Sequence, residues 1–290
     1  MFARALCARR ALVPRQCAHI TRSRSVSSSS TWKAATATQS TPDGPAISET
    51  NRAEVTMQRF WKDVGISPED NAFCVTLDDR SLKTPSGNTL LIPKQKTLLA
   101  TLIAAEWDSQ EKVLKPHALP MTSLAARAID ALADKPTREE VCDALVKYVD
   151  TDTISFYQDD PPPLVKLQAK HWDPLLAWLN ETHGVELEKA GSILFHVQSN
   201  ATKDKLRAVI QGFDAWQLAA MERATYATKS FVIALALVTK HITVEEAALA
   251  ASVEVNSQIE RWGEVEDTHD VDYQDVRRQL GSVACLLSNV

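Results

Sequence analysis

The sequence predicts an α+β protein: an N-terminal mixed β/α domain followed by an all-α helical bundle domain. Three observations carry that prediction. Ala72–Pro93 holds alternating apolar and polar residues at the two-residue period of a half-buried strand, punctuated by turn residues. Beyond Leu164 nearly every apolar pattern has helical spacing. Between the two, Asp159-Asp160-Pro161-Pro162-Pro163 excludes both helix interior and central strand. The expected divisions are a leader at 1–42, a linker at 43–55, a β/α domain at 56–160 and a helical domain at 161–290.

Taken in order, Phe73, Val75 and Leu77 alternate with Cys74, Thr76 and Asp78. Asp78-Asp79 and Pro85-Ser86-Gly87-Asn88 make turns, Thr89–Ile92 returns as a strand, and Pro93 ends it because proline has no ladder donor. Leu98, Leu99, Leu102, Ile103 and Trp107 form the stripe of a helix from Lys94 to Gln110. Met121–Ala133 is a short helix, and Thr137-Arg138-Glu139-Glu140 reads as the capping box of the next. Thr153–Tyr157, rich in β-branched and aromatic residues, reads as a strand. A long helix follows over Leu164–His183, stopped by Gly184; another carries Leu206, Val209, Ile210 and Phe213, with Thr202 as cap. Thr243-Val244-Glu245-Glu246 is a capping box for a helix running to Trp262-Gly263, with Val255, Ile259 and Trp262 on one face. A last helix spans Tyr273–Leu287.

Charge is distributed unevenly. Of 32 basic side chains seven lie in residues 1–42, where no acid occurs, leaving 25 against 37 acidic groups, a net of −12. An Arg- and Ser-rich, acid-free leader has the composition of a mitochondrial transit peptide, with cleavage expected between Arg24 and Ser40. The acidic body argues against nucleic acid as a partner, since neutralising phosphates needs clustered Lys and Arg. Cys74, Cys142 and Cys285 remain after the leader and form no CxxC pair, which suits a reducing compartment. Phe231–Val238, eight residues, is far short of the roughly 20 needed to cross a bilayer and reads as a helix buried on all sides.

Several spaced blocks point further. Ala104-Ala105-Glu106-Trp107-Asp108, Lys115-Pro116-His117 and Leu119-Pro120-Met121-Thr122-Ser123-Leu124 follow Arg59-Phe60-Trp61-Lys62 and the run Leu77–Asn88. Trp172-Asp173-Pro174 and Arg261–Asp270 come later. In this order, over residues 56–286, they resemble the mitochondrial F1-ATPase assembly factor 2 family. The resemblance implies a chaperone of the matrix that holds the unassembled ATP synthase alpha subunit, a monomer when free, without enzymatic activity or cofactor. It implies the same two-part division.

The residues themselves spell out no reaction. GxGxxG, GxxxxGK[ST], HExxH and GxSxG are absent, and no loop is glycine-rich enough to cradle a phosphate. Glu106 and Asp108, two apart on a helix, point in different directions and do not make a catalytic pair. Asp150 and Asp152 read as capping residues rather than metal ligands. Glu260–Asp275 carries seven acids and His269 against one Arg. Its spacing fits no EF-hand. It stands open to three readings: a metal site, a solvated acidic loop, or a protein-binding surface. The resemblance favours the last, with Glu264, Glu266, Asp267, His269 and Asp270 as contacts. The competing enzyme reading is a metal-dependent hydrolase using Glu264–Asp272. Trp107 is the second candidate contact, either a core residue on its stripe or an aromatic anchor for a partner.

Overall fold

The computed structural model describes residues 58–190 and 197–289. The expected leader and linker lie outside them.

The strand pattern at Ala72–Leu77 forms the middle strand, β2, of a four-stranded antiparallel sheet. β1 (Val64–Pro68) lies along one side, with Ile66 opposite Val75. β3 (Arg80–Ser81) and β4 (Leu91–Pro93) share the other side, facing Thr76–Leu77 and Ala72–Cys74 respectively. The sequence reading missed β1, whose Gly65 and Pro68 break the strand signature. Gly65 is needed there: a Cβ would come within 2.9 Å of the Thr76 hydroxyl on β2. The turn at Asp78-Asp79 forms as expected, with Asp78 at φ 52. The Asp78 carboxylate accepts from the Asp63 and Lys62 amides at 3.0 and 2.9 Å, which holds it below the usual carboxylate range.

After a short 3₁₀ turn, α1 (Thr97–Asp108) lays Leu99, Ala100 and Ile103 on the sheet. α2 (Pro120–Asp130) and α3 (Lys135–Val146) follow. The expected capping box at Thr137 does not form. Asp134 is the cap instead, accepting from the Thr137 amide and hydroxyl at 3.1 and 2.8 Å. Pro136 sits in the first turn, where no amide donor is required, so the helix starts earlier than the threonine suggested.

Thr153–Ser155 is a 3₁₀ turn rather than a strand. The Asp152 side chain accepts from the Ile154 amide, a local bond that outcompetes an extended conformation. The helix expected over Leu164–His183 is two: α4 (Pro162–His171) and α5 (Asp173–His183). Pro174 has no amide to continue the ladder, and the chain turns at the fully buried Trp172, whose indole donates to the Ala250 carbonyl at 2.8 Å. Gly184 ends α5 in the left-handed conformation, φ 60, as the sequence predicts.

α6 (Asn200–Gln211) is capped by Ser199, not Thr202. α7 (Ala215–Thr228) opens with an Asp214–Gln217 capping box that the sequence reading missed. α8 (Phe231–Val238) has all eight residues buried, as expected, against α5, α7 and later helices. The Thr243–Glu246 capping box forms, but its helix is again two: α9 (Val244–Ala251) and α10 (Val253–Trp262), separated at Ser252. α11 (Glu266–Leu286) starts one and a half to two turns before the predicted Tyr273. The hydrophobic core is continuous from Trp61 on the sheet side to Leu287 at the end of α11. The α+β class is as expected.

Candidate functional site

The acidic segment is an exposed junction of two helices, the tip, with Glu264 in the short connection between them. α10 ends at Trp262; Gly263, at φ 88 and ψ 167, turns the chain; α11 begins at Glu266. Glu266 and Asp267 occupy the first turn of α11, where the helix dipole favours negative charge. His269 reaches back one turn, and its Nδ1 accepts from the Val265 amide at 3.0 Å, closing the start of the helix. His269 is therefore a cap of α11 and is half-buried. Glu264, Glu266, Asp267 and Asp270 are exposed and form no ion pair among the described residues.

The structure adds exposed apolar groups. Trp262 is 70 % exposed, Val265 58 % and Val271 64 %. On the face Val255–Ile259–Trp262, Val255 and Trp262 are exposed and Ile259 is half-buried, while α10 buries Val253 and Ser257. The tip thus sets a bare indole, with the Arg261 guanidinium over its ring, among unpaired carboxylates. Downstream, Arg277 stacks on Tyr273 and forks Glu245 at 2.9 and 2.7 Å, which ties α11 to α9 and fixes the tip's direction.

Trp107 lies elsewhere, at the end of α1, and no hydrogen bond, ion pair or ring contact joins it to the tip among the described residues. It is half-buried, which answers neither of the two readings outright. Its ring packs on Trp61 at 5.1 Å and its indole donates to the Thr122 hydroxyl at 3.0 Å. Its outer side lines an open hollow of about 430 Å³ with Leu77, Leu82 and Phe60, the last 69 % exposed.

The neighbouring acids are structural. The Glu106 carboxylate accepts from the Met121 and Thr122 amides at 2.6 and 2.9 Å and from the Thr122 hydroxyl at 2.8 Å. It satisfies the free donors at the start of α2, while burial pushes its pKa up. Asp152 accepts from the Ile154 amide, as the capping reading expects, and from the distant Val232 amide; Asp150 does not cap but accepts from Lys203 and the Gln198 amide across the fold. No group of three or more His, Cys, Asp or Glu is arranged to hold a metal among the described residues.

A family model described as ATP12 chaperone protein matches residues 58–180. Protein atp12, mitochondrial, of Schizosaccharomyces pombe is 35 % identical over 79 % of this chain and 81 % of its own length. The chain belongs to the ATP12 chaperone family. The mitochondrial ATP12 protein of Saccharomyces cerevisiae is 30 % identical, over 85 % of this chain and 89 % of its own. The crystal structure of Atp12 from Paracoccus denitrificans superimposes with TM-score 0.68 at 29 % identity, covering 80 % of this chain and 97 % of that one. A protein of Agrobacterium tumefaciens gives TM-score 0.70 at 28 % identity, over 80 % and 85 %. The chain is thus an assembly chaperone for ATP synthase, of a family whose eukaryotic relatives here are mitochondrial, and not an enzyme. The metal-dependent hydrolase reading is overturned by that membership: the family is non-enzymatic, and the acids it invoked are spread along an exposed helix end.

Proposed function

We propose that the chain holds the unassembled ATP synthase alpha subunit in the mitochondrial matrix until the beta subunit takes over the same face. The observation that carries this reading is the tip at the α10–α11 junction, where Trp262 and Val265 stand exposed beside Glu264, Glu266, Asp267 and Asp270. An exposed indole ringed by unpaired carboxylates has the make-up of a binding hot spot with a polar rim. Apolar contact would shield the client at roughly 25 cal/mol per Å² covered. The carboxylates would select a basic-rimmed client and repel acidic surfaces. Trp107, with Phe60 beside it, is a second proposed contact through the hollow it lines. Such an interface exchanges without ATP, because an incoming subunit competes for the client's covered face.

Co-precipitation from matrix extract, with alpha and beta subunits probed in parallel, tests the reading. Alpha is expected to be enriched and beta is not; no enrichment of alpha removes it. Glu266→Lys is expected to fold as the parent does and to suppress alpha-subunit aggregation several-fold less well. Equal suppression by the variant would reduce the acidic tip to a solvated helix end.

A further inference from the structure

Relief on the described surface is not confined to the acidic tip. A hollow of about 440 Å³ lies along α11 at Asp270, Val271, Asp275 and Arg278. It shares Arg278 with a second, about 270 Å³, between α2, α7 and α11, which takes in His117, Ser123 and Arg223. That one shares Ser123, Leu124 and Arg223 with a third, about 300 Å³, reaching Arg127, Glu222 and Tyr226. Strung end to end, the three make one groove leading away from the acidic tip.

Its lining holds three arginines, Arg127, Arg223 and Arg278, against three carboxylates, Glu222, Asp275 and, at the end nearest the tip, Asp270, so its formal charge is balanced where the body is acidic. Arg127 forks Glu222, both bonds 2.8 Å, and Arg278 bonds Asp275 at 2.6 Å, so these pairs cancel locally. Arg223, exposed between them on α7, has no hydrogen bond or ion pair among the described residues. The Asp275 carboxyl is held below its usual range by Arg278 and Gln279, and the field of Arg223 adds to them. The hydroxyls of Ser123 and Tyr226 are also without a hydrogen bond among the described residues. An uncompensated guanidinium fork flanked by two hydroxyl donors is complementary to a carboxylate. Leu124 and Val271 in the walls give the residues between carboxylates apolar surface to rest on.

We propose that this groove receives an acidic stretch of a client polypeptide, with Arg223 forking a carboxylate and Ser123 and Tyr226 donating to it. The inference rests on the chaperone reading and gives it a second contact of opposite sign: the tip meets base, the groove meets acid. A peptide fits better than a lone anion because the guanidinium lines two of three joined hollows and the recess runs on past it.

The test is fluorescence anisotropy of a labelled peptide of alternating Glu and Ala with the full chain, with an alternating Lys and Ala peptide alongside. Arg223→Glu is expected to weaken the acidic peptide about tenfold or more, the size of one charge-assisted fork. Arg223→Lys should fall between, since it keeps charge without the fork, and Lys166→Ala, exposed on α4, should bind as the parent does. Unchanged binding by Arg223→Glu, its fold verified by circular dichroism, overturns the proposal. So does equal displacement of the peptide by inorganic phosphate at matched charge, which would make this a simple anion site. Alpha-subunit co-precipitation by the parent separates the two claims. Retained alpha with no effect of Arg223→Glu on peptide binding sinks only the groove. Arg223-dependent peptide binding without alpha retention upholds the groove and sinks only the client assignment.

Discussion

Asp152 is a carboxylate with no exposed surface, held between two helix starts by the Ile154 and Val232 amides at 3.2 and 3.0 Å. Burial pushes its pKa up to about 6, and hydrogen bonds from Ser230 and the neighbouring amides only partly offset this. In the unfolded chain the same group titrates near 4. The folded state therefore holds the proton more tightly, and stability from this group is present at low pH and lost as pH rises from about 4 through about 6. Asp152→Asn removes that dependence, at the cost of setting an amide N–H against a backbone donor. In urea unfolding at several pH values, the parent should lose ground to the variant, on the order of 3 kcal/mol in all, as pH rises through this window, with the gap flat above pH 7. A gap independent of pH would show that the carboxylate is not titrating there. The sequence showed Asp152 as a capping residue, but its burial could not be read, because Val232 lies 80 residues away.

At the scale of elements, the blocks that carry the family resemblance prove to be joints. Arg59 bonds the carbonyls of Trp61, Lys62, Asp108 and Gln110; Glu106 and Trp107 both hold Thr122; Asp130 holds Thr84, Ser86 and Asn88. These residues lock sheet, α1 and α2 together, so their pattern spoke of fold before it spoke of contacts. Local signals were legible: Gly184, the Thr243 box and the all-apolar Phe231–Val238 each depend on neighbours in sequence. What was not legible is whether an apolar stripe has a partner. Trp262 and Val255 have helical spacing and yet are exposed, because no described residue packs over that side of α10. The groove was equally hidden, since Arg127, Arg223 and Arg278 come from three helices far apart in sequence. Gly263 gives this scale its prediction. At φ 88 and ψ 167 it occupies backbone space that side chains rarely enter, although an added Cβ would meet nothing within 4 Å. Gly263→Ala should cost about 1–3 kcal/mol locally, through backbone strain and not through a clash. Amide exchange is expected to quicken at 263–270 while the α8 amides stay protected; uniform loosening, or none, would count against a junction fixed by this one residue.

For the whole molecule, the sign of the field decides how a client arrives. Beyond residue 42 the chain is at −12, and the tip carries unpaired carboxylates at its exposed end, while the one uncompensated arginine of the groove lies along the helices behind it. At a distance a partner feels the net charge, and at contact it feels the separate patches. Encounter with a basic face should be steered, and steering is screened over about 8 Å at physiological salt. The capture rate for alpha subunit in stopped flow should fall roughly tenfold or more between low salt and 0.5 M, while the dissociation rate, governed by Trp262 and the other apolar contacts, changes little. Glu266→Lys should flatten that salt dependence, and Trp262→Ala should leave it intact while speeding release. If the two variants exchange these effects, with the charge change acting on release and the indole acting on capture, the division of labour between rim and anchor at the acidic tip is wrong, even where the alpha subunit is still held.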